Sequence, residues 1–281
     1  MEIKVLSCFH KKYVIPKNDV YLPIHVGKSN STVDLDFIGD NTGDNISYKN
    51  PNYCELTALY WAWKNLDAEY IGLCHYRRYF NFNNDSIALL GENEIGLNYF
   101  QEYVDIDVDK KIKEIFNNGY DIILPKKKVL EISLYKDYCI NHSKKDMDIL
   151  IQVILEKYPD YKEAIDKIIY KNNKAHICNM FIMKKDELNK YCSWLFDILF
   201  EVEKRVAISE DPYQSRIFGF MSERLINIYV EKNRLKVKEM SLLFVGEKAD
   251  YIDRNNIIKK FIRAEAGKIK RSIKFKLVKT T

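Results

Sequence analysis

The chain has 281 residues, 47% apolar and 30% charged, the proportions of an ordinary folded soluble protein with room for one large domain and a tail. Its six cysteines (Cys8, Cys54, Cys74, Cys139, Cys178, Cys192) form no C-x-x-C pair or zinc spacing, and no apolar run approaches the roughly 20 residues of a membrane-spanning helix. The formal charge of +5 is uneven: ten basic residues and one acid, Glu265, lie between Arg254 and Thr281, so this tail carries +9 and the first 253 residues −4, which argues against a uniformly nucleic-acid-binding surface.

Ile3 to Phe9 has the composition of a first buried strand, ending at His10-Lys11-Lys12, and Tyr21 to Val26 of a second, closed by Gly27. Asp40 to Asn45 is a polar turn segment. Tyr53, Leu56, Leu59, Tyr60 and Trp63 recur at helical spacing, which predicts a helix over Asn52–Asn65 with Asn52 and Glu55 as a capping box. Glu69–Leu73 forms a third strand that runs into Cys74-His75-Tyr76-Arg77-Arg78-Tyr79-Phe80. Asn81–Val108 is loop-like, Lys110–Asn118 helical, and Asp121–Leu124 a fourth strand before Pro125. Lys144–Lys157 and Asp160–Tyr170 are further helices, and His176–Lys184 is a strand leading into a long helix, Lys185–Arg205. Asp211-Pro212 opens another helix, since Pro suits a first turn. Val237–Val245 is a late strand.

Strands alternating with helices predict an α/β fold with a mainly parallel sheet flanked by helices. The simplest division is a catalytic body over residues 1–253 and a basic tail over 254–281. In that tail Ile258, Ile262, Ala266, Ile269, Ile273 and Leu277 recur every three or four positions among lysines and arginines, the pattern of an amphipathic helix lying on an anionic membrane surface. Met1-Glu2-Ile3-Lys4 has no signal-peptide character. The expected location is therefore the cytoplasm, peripheral at the inner face of the cell membrane.

Ligands of open α/β sheets bind beyond the carboxyl ends of the strands, which singles out His10-Lys11, His75-Tyr76-Arg77-Arg78 and Asn179. Two adjacent arginines after a buried strand, flanked by aromatic rings, are suited to phosphate. Asp44, Asn45 and Asn50 either hold sugar hydroxyls or build a turn. The amide of Asn179 offers donors and acceptors to a sugar, donor or acceptor.

The blocks Asp40-Asn41-Thr42-Gly43-Asp44-Asn45-Ile46-Ser47, Tyr53-Cys54-Glu55-Leu56-Thr57-Ala58-Leu59-Tyr60-Trp61-Ala62-Trp63, Gly72-Leu73-Cys74-His75-Tyr76-Arg77-Arg78-Tyr79-Phe80, Asn179–Lys184 and Gly219–Leu225 carry a resemblance. They resemble a bacterial family long labelled a domain of unknown function and found with capsule and exopolysaccharide genes, over about residues 1–245. The resemblance implies a glycosyltransferase of the Rossmann-like A-type fold, galactofuranosyltransferase-like, that inverts configuration. The implied donor is a UDP-sugar (galactofuranose or galactose) and the acceptor a glycan or lipid-linked oligosaccharide, with no nucleic-acid partner.

Enzymes of that fold usually hold a divalent metal through Asp-x-Asp at a strand end. Asp34-Leu35-Asp36, Asp105-Ile106-Asp107 and Asp146-Met147-Asp148 match this only as text. The expectation is that Arg77 and Arg78 supply the positive charge and no metal or cofactor is required, although a divalent metal is compatible. Inversion needs a base beside the acceptor hydroxyl; Glu223 is the first candidate and Asp211 the second. His10, Lys11, Asp44, Asn45, Asn50, His75, Tyr76, Arg77 and Arg78 then form the donor side. The alternatives are a non-catalytic nucleotide-sugar or membrane binding protein and a phosphate-ester hydrolase.

Overall fold

A computed structural model describes residues 2–83, 92–104 and 106–247. Among the described residues there are eleven strands: β1 Ile3–Phe9, β2 Tyr21–His25, β3 Tyr70–His75, β4 Arg78–Phe80, β5 Glu92–Ile95, β6 Ile122–Pro125, β7 Lys128–Val129, β8 Lys174–Ala175, β9 Phe181–Lys184, β10 Val237–Met240 and β11 Leu242–Val245. The helices are α1 Asn50–Tyr53, α2 Leu56–Asn65, α3 Phe100–Val104, α4 Val108–Asn117, α5 Leu134–Asn141, α6 Lys144–Lys157, α7 Lys162–Ile165, α8 Lys185–Glu203 and α9 Ile217–Asn233, with a π-helical turn after α7 at Asp166–Tyr170.

The α/β class expected from the sequence is observed, but the sheet is mixed. Its parallel pairs are β1/β2, β1/β3, β6/β10 and β5/β11; its antiparallel pairs are β3/β4, β3/β9, β6/β9 and β4/β11. The six strands β2-β1-β3-β9-β6-β10 form the main body, and the hairpin β3–β4 leads into β11 and β5. The expectation of mainly parallel strands fails at β9, inserted antiparallel between β3 and β6. A short apolar run is equally buried in either direction, so its composition cannot encode its polarity.

Alternation along the central strands builds two cores. Ile71 and Leu73 of β3 and Ile122 and Leu124 of β6 face a large core roofed by α2, α6, α8 and α9. Tyr70, Cys74 and Ile123 face the other side, against Phe100 and Val104 of α3 and Ile112 and Phe116 of α4. This is the period of two that lets one strand serve two layers. Gly72 sits where β1, β3 and β9 meet; a Cβ there would lie 2.8 Å from Ile182 Cγ1 and from the Phe181 carbonyl oxygen.

Several boundaries differ from those predicted. The helix over Asn52–Asn65 is two helices, α1 and α2, broken at Cys54 with φ 53°. The loop over 81–108 contains β5 and α3. The strand from His176 shrinks to β9, and the strand over Val237–Val245 changes neighbours at Ser241, β10 pairing with β6 and β11 with β4 and β5. Asp211-Pro212 opens a turn, and α9 starts only at Ile217. The amphipathic helix expected in the tail lies outside the described residues. Among the described residues no helix is long and apolar enough to cross a membrane.

Candidate active site

The carboxyl ends of β1 and β3 open onto a cavity of about 740 Å³, closed by the β3–β4 hairpin, the α1–α2 break and the start of α9. Its floor includes Cys178 (φ 78°), followed by a second residue with left-handed backbone, Asn179 (φ 47°), just behind it. Neither is glycine, so each pays for this conformation and must be held in it. The Cys178 N–H donates to Glu223 Oε1 at 2.9 Å, and the Cys178 carbonyl accepts from His75 Nε2 at 2.7 Å. The Asn179 amide donates to Glu55 Oε1 at 2.8 Å and to the Gly219 carbonyl at 3.0 Å. Both partners of that amide are acceptors, which fixes its orientation; a carbonyl partner likewise puts the His75 proton on Nε2.

Two carboxylates therefore share one strained pivot. Glu55 Oε1 is 4.0 Å from His75 Nε2, and Glu223 Oε2 is 3.2 Å from Arg224 Nη1. Arg224 is itself tied to Asp137 at 3.1 Å, so its charge is divided between two acids. Burial pushes the Glu223 carboxyl above the ordinary glutamate range, against the opposing pull of Arg224 and the Cys178 N–H. The Glu223 side chain nevertheless keeps 24% of its surface open, enough to meet a ligand in the cavity it lines.

The cavity is also lined by cationic groups. Tyr76 and Arg77 form the two-residue loop of the β3–β4 hairpin, with His75 paired to Arg78. Arg77 Nε donates to the Val245 carbonyl at 3.0 Å, and its guanidinium lies 5.8 Å from the centre of the Tyr13 ring and 3.5 Å from Glu247. Arg78 lies over Phe244 at 5.3 Å and has no carboxylate partner among the described residues. A third arginine, Arg216, lines the same cavity just before α9, donating from Nε to Cys54 Sγ at 3.3 Å. Burial raises that thiol to about 11, so it accepts as a neutral group and leaves the guanidinium charge uncompensated there. The Tyr76 ring packs edge-on against His10, 5.0 Å between centroids. Burial, with Lys11 and Arg216 adding, lowers the His10 pKa, which favours a neutral imidazole at the rim.

Of the residues singled out in the sequence, His10, Asn50, His75, Tyr76, Arg77, Arg78 and Glu223 line this cavity together. Lys11 instead reaches Glu247 at 3.7 Å. Asp44 and Asn45 build a turn: Asn45 bonds the Gly43 carbonyl and the Ser47 N–H, and Asp44 accepts from Tyr60 at 3.3 Å. The buried acid of that block is Asp40, which accepts from the Gly27 and Lys28 N–H groups, Ser47 and Thr57. Asn179 is buried behind the floor. Asp211 is exposed and its carboxylate caps the N–H groups of Tyr213 and Gln214.

Glu55 and Arg216 also line the cavity, and no sequence pattern by itself marks them as binding or catalytic residues. Glu55 was assigned to a capping box that does not form: Asn52 donates to the Ser215 carbonyl, and Glu55 turns to Asn179. Its place within the Tyr53–Trp63 block was the available signal. Asp34, Asp36, Asp107, Asp146 and Asp148, from the three Asp-x-Asp triplets, do not line the cavity; Asp105 lies outside the described residues. Among the described residues no group of three or more His, Cys, Asp or Glu is arranged to hold a metal ion.

The family described as Domain of unknown function (DUF4422) matches residues 4–234. No curated protein matches the chain. Among solved structures, the chain is similar to the apo structure of the bifunctional glycosyltransferase WbbM, at 34% identity and a TM-score of 0.79 over 88% of this chain. The match covers 46% of that protein, so the chain spans about half its length.

Proposed function

The chain belongs to the family described as Domain of unknown function (DUF4422), and from that premise we propose that it is an inverting glycosyltransferase. It takes a sugar from a UDP-sugar donor, galactofuranose or galactose, to a glycan or lipid-linked acceptor in bacterial surface-polysaccharide synthesis. The observation that supports this reading is one cavity lined by Arg77, Arg78 and Arg216 together with the carboxylates Glu55 and Glu223. An acceptor hydroxyl gives its proton to Glu223 as its oxygen bonds to the anomeric carbon. The bond from that carbon to the phosphate oxygen breaks, and the departing diphosphate carries away the electron pair. Fixed guanidinium charge near that oxygen stabilises the transition state more than the ground state. Glu55 and Asn179 hold the pivot that aims Glu223, a positioning role.

In this reading the arginines replace a metal. The purified chain, given a panel of UDP-sugars and glycan acceptors in excess EDTA, is expected to release UDP only when acceptor is present. Loss of turnover in EDTA with recovery on adding manganese would overturn the metal-independent part. Free sugar at the same rate with and without acceptor would make the protein a hydrolase, and binding without UDP release a non-catalytic binder.

The proposal divides the chain into a catalytic body over residues 1–253 and a basic tail over 254–281 that rests on anionic lipid. A chain ending near Tyr251 is expected to stay in the supernatant when spun with phosphatidylglycerol vesicles, while keeping its rate on a soluble acceptor. Equal sedimentation of both chains would remove the tail as the anchor.

A further inference from the structure

Beside the catalytic cavity lies a second one of about 250 Å³, and the turn over 211–216 divides the two. Pro212, Ser215 and Arg216 face the first cavity, while Gln214, Ile217 and Phe220 face the second. Two rings of a platform, His142 and Phe220, line the second cavity, and the third, Tyr213, stands beside it. His142 stacks on Phe220 with centroids 4.1 Å apart and planes 23° apart, and Tyr213 packs on both, at 5.1 Å from Phe220 and 6.1 Å from His142. Tyr213 keeps 56% of its surface open, an unusual exposure for a large ring.

Gln214 locks this platform in place, its Oε1 accepting from His142 Nδ1 at 2.9 Å and its Nε2 donating to the Asn141 carbonyl at 3.1 Å. Ser143, Asp146 and Ser209 add a rim of hydroxyl and carboxylate groups. A pre-formed stack of rings beside short polar side chains is complementary to one ligand class in particular. A sugar presents an apolar C–H face to the rings and hydroxyls to the rim.

The platform is also in line with the proposed base. Arg216, Phe220 and Glu223 are spaced by four and three residues, so they share one face of α9 and its entry, and the Arg216 guanidinium lies 5.6 Å from the centre of the Phe220 ring. Three residues of helix advance about 4.5 Å, close to the length of one sugar unit. We propose that this second cavity is the acceptor subsite: it holds the sugar next to the one whose hydroxyl meets Glu223, packed against His142 and Phe220 with the exposed Tyr213 ring beside them. The enzyme thereby recognises at least a disaccharide. The acceptor role rests on the glycosyl-transfer reading above, whereas glycan binding at the platform does not.

Saturation-transfer NMR on the full chain, with a panel of p-nitrophenyl mono- and disaccharides, separates the two, with UDP binding measured in parallel. At least one disaccharide is expected to bind more tightly than its monosaccharide. Tyr213→Ala, a change at an exposed ring, should weaken that disaccharide on the order of tenfold, while Tyr213→Phe and the UDP affinity stay near wild type. Disaccharide affinity unchanged by Tyr213→Ala, or a panel in which no glycan binds while UDP does, would overturn the subsite. Glycan binding that depends on Tyr213 in a chain with no affinity for UDP would uphold the platform as a glycan site and sink the transferase reading instead.

Discussion

A Glu223→Gln chain is expected to bind UDP as the wild type does and to turn over 10²- to 10⁴-fold more slowly, the range a lost general base costs. Glutamine keeps an oxygen for the Cys178 N–H, so the pivot at Cys178-Asn179 should survive, while proton acceptance and the ion pair with Arg224 are removed. Steady-state kcat with isothermal titration of UDP checks both halves; full activity in the variant would pass the base role to Glu55. Since burial raises the Glu223 pKa and the base must be ionised, the acid limb of the pH–rate profile should lie above the ordinary glutamate value of about 4.3. The same shift carries a stability sign. A raised carboxyl pKa contributes stability that is present below the ordinary value and is lost as pH rises through the raised one. Glutamine does not titrate, so the variant's melting temperature should lack the part of the pH dependence that Glu223 contributes.

The second large effect is expected from the hairpin. Arg78→Ala should weaken UDP binding roughly 10- to 100-fold, the worth of one to two charge-assisted hydrogen bonds at about 1.5 to 3 kcal/mol for the contact. Arg78 stands on β4, paired across the hairpin to His75, and its guanidinium has no carboxylate partner among the described residues, so a phosphate does not have to displace an existing ion pair. Arg77→Ala should cost less in affinity and more in stability, because Arg77 also ties the hairpin to the Val245 carbonyl. Arg78→Lys should recover only part of the loss, because an ammonium cannot reproduce the planar fork. UDP titrations of the three variants, with thermal melts as the folding control, give the comparison. Equal UDP affinity in Arg78→Ala and wild type would remove the phosphate role from the hairpin.

Much of the frame was legible in the sequence because it rests on local periodicity. The helix over Lys144–Lys157 is observed with those bounds, its Ser143 side chain capping the Asp146 N–H, and β1 and α8 follow from their apolar patterns. His75, Arg77 and Arg78 were singled out because they follow a buried strand and Glu223 because it lies in a block that carries the resemblance, and all four line the cavity. Glu55 and Arg216 were not singled out, for a reason of backbone geometry. At Cys54 a positive φ breaks the helix, and Gly219 leaves room for this kink; a Cβ there would lie 3.1 Å from Cys54 Sγ, a tight contact. The interacting residues are 165 positions apart, beyond the reach of any local pattern.

By itself, then, the sequence determined which residues are apolar on which face and which polar groups follow a buried strand, since side-chain period and composition are properties of neighbouring residues. Tertiary structure alone decided the antiparallel insertion of β9, the left-handed pair Cys178-Asn179 and the meeting of Glu55, His75 and Glu223 upon it. Each of these is held by hydrogen bonds or packing between segments distant along the chain. Their stabilising energy exists only once the sheet has brought those segments together.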